Sequence, residues 1–261
     1  MKNKQIIITL IAFLLALILP SCGTSDLAKS LSAEERFELG KKKFENKDFL
    51  DAMGEFEIVK LQYPGSSIAD DAQFHLAECR FNQEEYLLAA QEFQELRRNF
   101  PASSLVAAAQ YKIGLCYYML TPRSSLDQQY TLRAIDDFQA FIEYYPAHEL
   151  AQDASLKIKE LNNKLAKKLY DTAELYMIME YFKSATIYFN NIVEKFHDTE
   201  FAEPALLGKV KSLVYRNKFN DARQELDKFF EKYPNSSLKN DAESLRADLK
   251  NNPGPAPVNK K

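Results

Sequence analysis

Tryptophan is absent from this 261-residue chain, glycine occurs seven times, and histidine and cysteine three times each. No Gly-rich phosphate loop is present, and neither a nucleophile elbow nor a zincin motif occurs. None of His75, His148 and His197 pairs with Cys, Asp or Glu at metal-ligand spacing, so no metal, cofactor or catalytic residue is expected. A basic surplus is also lacking: the net charge is −3, which argues against nucleic acid as a partner. β-branched residues thin out beyond the N-terminal segment. What remains, 18 Phe and 14 Tyr among helix formers with little glycine, is a helix-rich composition.

The N-terminus has its own grammar. Lys2 and Lys4 form a basic head, residues 5–19 are almost wholly apolar, and Leu19-Pro20-Ser21-Cys22 follows. The run is shorter than the roughly 20 residues that span a bilayer comfortably. It reads as a secretory signal cut before Cys22. A cysteine directly after the cut resembles a bacterial lipoprotein signal, although Pro20 departs from the usual residue at its position. That resemblance implies an S-diacylglyceryl group on the Cys22 thiol and a further acyl chain, N-palmitoyl, on its freed amine. Two or more acyl chains anchor stably where one does not.

Beyond the leader one pattern recurs: aromatic, alanine at +3, large apolar residues at +7 and +10, aromatic at +14, then proline. Its copies are Phe49-Ala52-Phe56-Val59-Tyr63-Pro64, Tyr86-Ala89-Phe93-Leu96-Phe100-Pro101, Thr131-Ala134-Phe138-Phe141-Tyr145-Pro146, Phe182-Ala185-Phe189-Ile192-Phe196-His197 and Phe219-Ala222-Leu226-Phe229-Tyr233-Pro234. These offsets lie on one helix face, and proline ends the helix because it has no N–H to continue it. A second amphipathic stretch precedes each copy, with a small residue (Gly40, Ala77, Gly114, Ala173) in four of the five. Each unit is therefore a helix–turn–helix pair in which that small residue permits close approach.

The base spacing of 37 residues is near the ~34 of tetratricopeptide repeats. Two steps are longer. The excess around residues 119–127 reads as a loop, and the excess after Pro146 as an extended helix, because Leu156, Ile158, Leu161, Leu165, Leu169 and Leu175 have no Gly or Pro between them. The expected fold is all-α: five tetratricopeptide-like helix pairs stacked in a right-handed superhelical solenoid. The expected divisions are a signal peptide over 1–21, a lipidated tether over 22–30, repeats one to three over 31–148, a long linking helix with repeats four and five over 149–250, and a disordered Pro-rich tail over 251–261.

Finer expectations follow. Ser66-Ser67, Ser103-Ser104 and Ser236-Ser237 are placed to cap the next helices, Ser67 with Asp70 approaching a capping box. Ser125 or Asp127 should begin the helix after the insertion. Phe56, Phe93, Phe138 and Phe189 should be core. Cys79 and Cys116, one repeat apart, should be about 10 Å apart and remain buried free thiols. His75 should be exposed. The paired carboxylates Glu34-Glu35, Asp70-Asp71, Glu84-Glu85 and Asp136-Asp137 should be solvated or at helix starts.

A lipoprotein leader followed by five such repeats resembles the BamD family of the bacterial outer-membrane protein assembly machine. The likeness spans residues 31–249. It is carried by Phe49-Leu50-Asp51-Ala52, Tyr63-Pro64-Gly65-Ser66-Ser67, Tyr111-Lys112-Ile113-Gly114, Asp127-Gln128 and Ala134-Ile135-Asp136-Asp137-Phe138. The resemblance implies a non-enzymatic adaptor anchored in the outer membrane and facing the periplasm. It implies, as partners, the periplasmic domains of a BamA-like insertase on the C-terminal repeats, unfolded β-barrel substrates on the N-terminal repeats, and other assembly-machine lipoproteins. Gly23, not aspartate, after Cys22 agrees with outer-membrane sorting. The alternative is a periplasmic repeat scaffold lipoprotein serving envelope division or peptidoglycan machinery. Replacing Cys22 with alanine is expected to move the protein from the membrane pellet to the soluble fraction of its host; a variant still pelleting after a carbonate wash contradicts the lipid anchor.

Overall fold

The computed structural model describes residues 31–251. The leader (1–21), Cys22 with its tether (22–30) and residues 252–261 of the tail lie outside the described residues. Those described form eleven helices and contain no strand. In order these are α1 (Ala33–Glu45), α2 (Phe49–Gln62), α3 (Ala69–Asn82), α4 (Tyr86–Asn99), α5 (Val106–Met119), α6 (Gln129–Tyr144), α7 (Ala151–Ile178), α8 (Phe182–Lys195), α9 (Ala202–Tyr215), α10 (Phe219–Lys232) and α11 (Lys239–Asn251). Each helix packs mainly on its sequence neighbours. The fold is an all-helical repeat solenoid of five pairs closed by α11, with no central core.

The apolar interior is accordingly a file of five clusters, each joining a first helix, its second helix and the first helix of the next unit. The cluster of the first unit holds Phe37, Ala52, Phe56 and Val59 together with Ala72, Leu76 and Cys79 of the second. The four expected core phenylalanines are fully buried. Gly40 and Gly114 explain how their rings fit. A methyl group at Gly40 would lie 2.7 Å from Phe56 Cε1, and one at Gly114 2.8 Å from Phe138 Cδ1. In the last unit Val210 takes this place, while Gly208, two residues earlier, receives Phe189 from the preceding helix: a Cβ there would lie 2.5 Å from Cζ.

The turns explain themselves locally. The residue before each turn proline leaves the helical region, as Tyr63 (φ −129°, ψ 48°) and Phe100 (φ −128°, ψ 58°) show, because proline crowds the helical conformation of its predecessor. Phe196 does the same (φ −127°, ψ 38°) although His197 follows it, so the turn survives loss of the ring. Within pairs, Lys47, Glu84, Glu180 and Asn217 adopt φ near +60° to reverse the chain. The third unit uses its insertion, residues 120–128, instead.

Serine side chains do not cap the helices as expected. The serine backbone carbonyl takes the first helical N–H: Ala69 N donates to Ser66 O (3.2 Å), Val106 N to Ser103 O (3.3 Å) and Lys239 N to Ser236 O (3.3 Å). Ser103 and Ser236 hydroxyls instead accept from Leu105 and Leu238 N inside the turn, and Ser66 Oγ is buried without a partner. His148 fills this position in the third unit, its Nδ1 accepting from Leu150 N. Ser32 with Glu35 forms a full capping box at the start of α1. After the insertion α6 begins at Gln129, and Asp127 Oδ1 accepts the Gln129 N–H.

Two substitutions separate helix propensity from packing. Gly54, mid-α2, has open space where a Cβ would go, so Gly54→Ala should stabilise by about 0.5–1 kcal/mol. Gly114→Ala, driven into a buried ring, should destabilise by about 1–3 kcal/mol despite the same gain in propensity. Urea unfolding of both variants checks the opposite signs.

Candidate interaction surfaces

Among the described residues no group of three or more His, Cys, Asp or Glu is placed to hold a metal. Cys79 and Cys116 are buried free thiols, pushed up to about 12 by burial, and hence protonated and unreactive. His75 is not exposed. Its ring is half-buried among Phe37, Phe44, Phe56 and Phe74, with centroids 5.5–6.2 Å away, and burial lowers its pKa. It lies at the repeat position of Gly208, where a second-helix phenylalanine meets a first helix, so a ring contact there covers it.

The chemistry that shapes this molecule is electrostatic. Glu55, Glu92, Asp137 and Glu225 occupy one repeat position, immediately before the core residue at +7, and all are largely buried. The expectation of solvated carboxylates fails at Asp137 for that reason. Glu55 accepts from Arg36 and Lys43 of α1, both at 2.8 Å. Glu92 accepts from Lys60 (2.8 Å) of α2 and Gln73 (2.7 Å) of α3, and Arg80 Nε lies 3.4 Å from it. Glu225 pairs with Lys209 (3.0 Å) of α9 and with Lys228 (2.9 Å). Burial by itself would raise these three carboxyls, but the bonds and charges of their partners outweigh it and hold them below the ordinary value. Asp137 differs: burial outweighs Arg133 and raises it.

Repeat three is tied to the long helix. Tyr111 donates to Asp153, Tyr118 to Glu160 at 2.8 Å, and Lys157 Nζ sits 4.6 Å from the centre of the Tyr118 ring. Burial and Glu160 push Tyr118 up to about 12. Tyr111-Lys112-Ile113-Gly114 thus has four separate jobs: Tyr111 bonds α7, Lys112 pairs with Glu78 (2.9 Å), Ile113 is core and Gly114 admits Phe138. The insertion is wound around Gln128, whose amide donates to the carbonyls of Arg123 (2.9 Å) and Leu126 (3.0 Å) and accepts from Thr131 (2.7 Å). That last bond explains a threonine where the other copies have an aromatic. Lys164 and Lys168 of α7 clip the loop from outside, on Thr121 Oγ1 (2.7 Å) and Leu126 O (2.6 Å).

Two of the concavities formed by the described residues bear on binding. One, of about 570 Å³, lies between the insertion, α7 and the end of α8, with Leu132, Leu165, Leu169 and Phe196 in its wall. The other, of about 580 Å³, lies in repeats four and five, where Lys209, Glu225, Lys228 and Glu194 give it a mixed-charge lining around Val193 and Leu206. Sequence reasoning missed the buried acid row, although an acid at +6 in four of five copies announces it. It also missed alanine eight residues past each turn (Ala72, Ala109, Ala154, Ala205, Ala242), fully buried in every case.

Because folded-state pKa values of Glu55, Glu92 and Glu225 are depressed, their stabilisation is complete above the ordinary carboxylate value of about 4.3 and is lost as pH falls below it. Glu92→Gln should destabilise by about 3 kcal/mol near pH 7, since Lys60 and Arg80 lose their partner, and should flatten the acid limb of thermal melts.

The profile of the YfiO family, described as an outer membrane lipoprotein, matches residues 29–217, and a tetratricopeptide-repeat profile matches residues 204–236. An outer membrane protein assembly factor BamD from Rickettsia prowazekii (strain Madrid E) is 29% identical over 122 residues, 47% of this chain and 49% of that protein. The chain therefore spans about half the length of the curated relative it matches. Among solved structures, the TPR2AB-domain:pHSP90 complex of yeast Sti1 is 12% identical with a TM-score of 0.39, covering 84% of this chain and 98% of that one. A tetratricopeptide repeat protein from Parabacteroides merdae is 15% identical with a TM-score of 0.37, covering 83% and 72%.

Proposed function

Because the chain belongs to the YfiO family of outer membrane lipoproteins, we propose that it is a lipid-anchored adaptor of the outer-membrane β-barrel assembly machine. Cys22 would carry the lipid and hold the solenoid at the periplasmic face. The adaptor would bind the periplasmic domains of a BamA-like insertase through repeats four and five, and unfolded barrel substrates through repeats one to three. Other lipoproteins of the machine would join it. The family match over residues 29–217 carries this reading, and the BamD name of the Rickettsia protein supports it.

The architecture suits the task. An adaptor has to hold two partners at a set separation without reacting with either. Stacked pairs expose curved surface along their whole length while each contacts only its neighbours. Helix α7, 28 residues and about 42 Å long, keeps the first three repeats and the last two apart. Its bonds to Tyr111 and Tyr118 fix it to the N-terminal block.

Affinity purification of the full chain from detergent-solubilised membranes of its host should recover the barrel insertase, and a chain truncated after α7 should lose it. Recovery of division or peptidoglycan enzymes without the insertase would favour the periplasmic scaffold instead.

A further inference from the structure

Helix α7 does the work of two first helices. Its first half, with Ala154, Ile158 and Leu161, packs on α6 as the next unit of the stack would. Its second half, with Ala166 and Ala173, pairs with α8. In an ordinary unit the same fourteen or so residues carry both neighbours, one on each side. The extension pulls the neighbours apart, so each half is left bare on one side.

The sequence treats the two bare sides differently. On the first half, Lys159 and Asn163 replace the small and aromatic residues found elsewhere, leaving Leu156 as a lone exposed leucine (60%). The second half is polar at its start, where Lys168 and Asp171 share the face, and apolar over its last turn. Leu175 stands at the repeat position of Cys79, Cys116 and Ser212, all fully buried by the preceding second helix, yet Leu175 is 54% exposed. Ile178 (79%) and Met179 (49%) extend the face. Helix α1 supplies the comparison, because nothing described precedes it in the stack. There the positions equivalent to Leu175, Ile178 and Met179 are Lys42, Glu45 and Asn46, as a solvated face requires.

We propose that the bare second half of α7 is a docking surface for an amphipathic helix of a partner chain, seated where the preceding unit's second helix sits elsewhere. In that seat the occupant's C-terminal end meets the 570 Å³ concavity beside Leu165, where Lys168 and, behind it, Lys164 face the insertion. The N-terminus of α6 opens at the same end, its Gln129 N–H taken by Asp127 Oδ1. Lys164 and Lys168 outnumber Asp127 at this end and complement the negative end of a helix dipole and acidic residues in its last turn. The surface is independent of whether the barrel insertase is the partner.

The test uses the full chain and two synthetic peptides, leucines at heptad spacing, one with glutamates in its last turn and one with lysines. Fluorescence anisotropy should show the glutamate peptide binding at least about tenfold more tightly than the lysine peptide. Leu175→Glu should weaken it at least about tenfold, and Leu156→Glu, equally exposed on the same helix, should leave it unchanged. Thermal melts verify that both variants are folded. Equal binding of the two peptides, binding indifferent to Leu175→Glu, or no binding up to about 1 mM overturns the proposal. So does concentration-dependent self-association abolished by Leu175→Glu, which would make a second copy the occupant.

Discussion

A phenylalanine ring set against a residue with little or no side chain holds four of the five helix pairs of this protein together. Phe56 on Gly40 and Phe138 on Gly114 bring the two helices so close that even a methyl group would collide. Close approach buries the alanine eight residues past each turn, and with it the face that receives the next unit. The five clusters in file are the outcome, and they leave the molecule's ends and its one long connection as the places where the pattern can be altered.

The buried carboxylates add direction to that packing. Apolar contacts alone tolerate sliding along a helix, whereas Glu55 between Arg36 and Lys43, or Glu92 between Lys60 and Gln73, accepts one register. Removing either member leaves an uncompensated charge in a half-dry place, which is destabilising. Where the repeat lacks the acid, Tyr188 stands in its place and packs against Tyr176 (5.3 Å) of α7. The fourth unit is thus held to the long helix by rings, not ions. It is also the unit whose preceding neighbour has been drawn away, so the change in chemistry coincides with the change in architecture.

Much of the fold was legible from residues alone, and for identifiable reasons. Helical period, turn prolines and the alanine at +3 are local signals, and they mark the pairs correctly. Thr131 departs from the aromatic of the other copies because it bonds Gln128 and so belongs to the insertion beside it. His75 misled because a histidine's exposure depends on which rings close over it, and three of its four neighbours come from other helices. The serines misled because a turn's own carbonyl had already taken the N–H that a hydroxyl would have capped.

Sequence by itself determined the unit: its helix ends and the burial of its phenylalanines, properties encoded within some fourteen residues of one another. Only the tertiary structure decided which faces of those units remain uncovered. Whether Leu175 is core or surface depends on how far a 28-residue helix carries it from α6, a distance summed over many turns and over neighbours that no local pattern records.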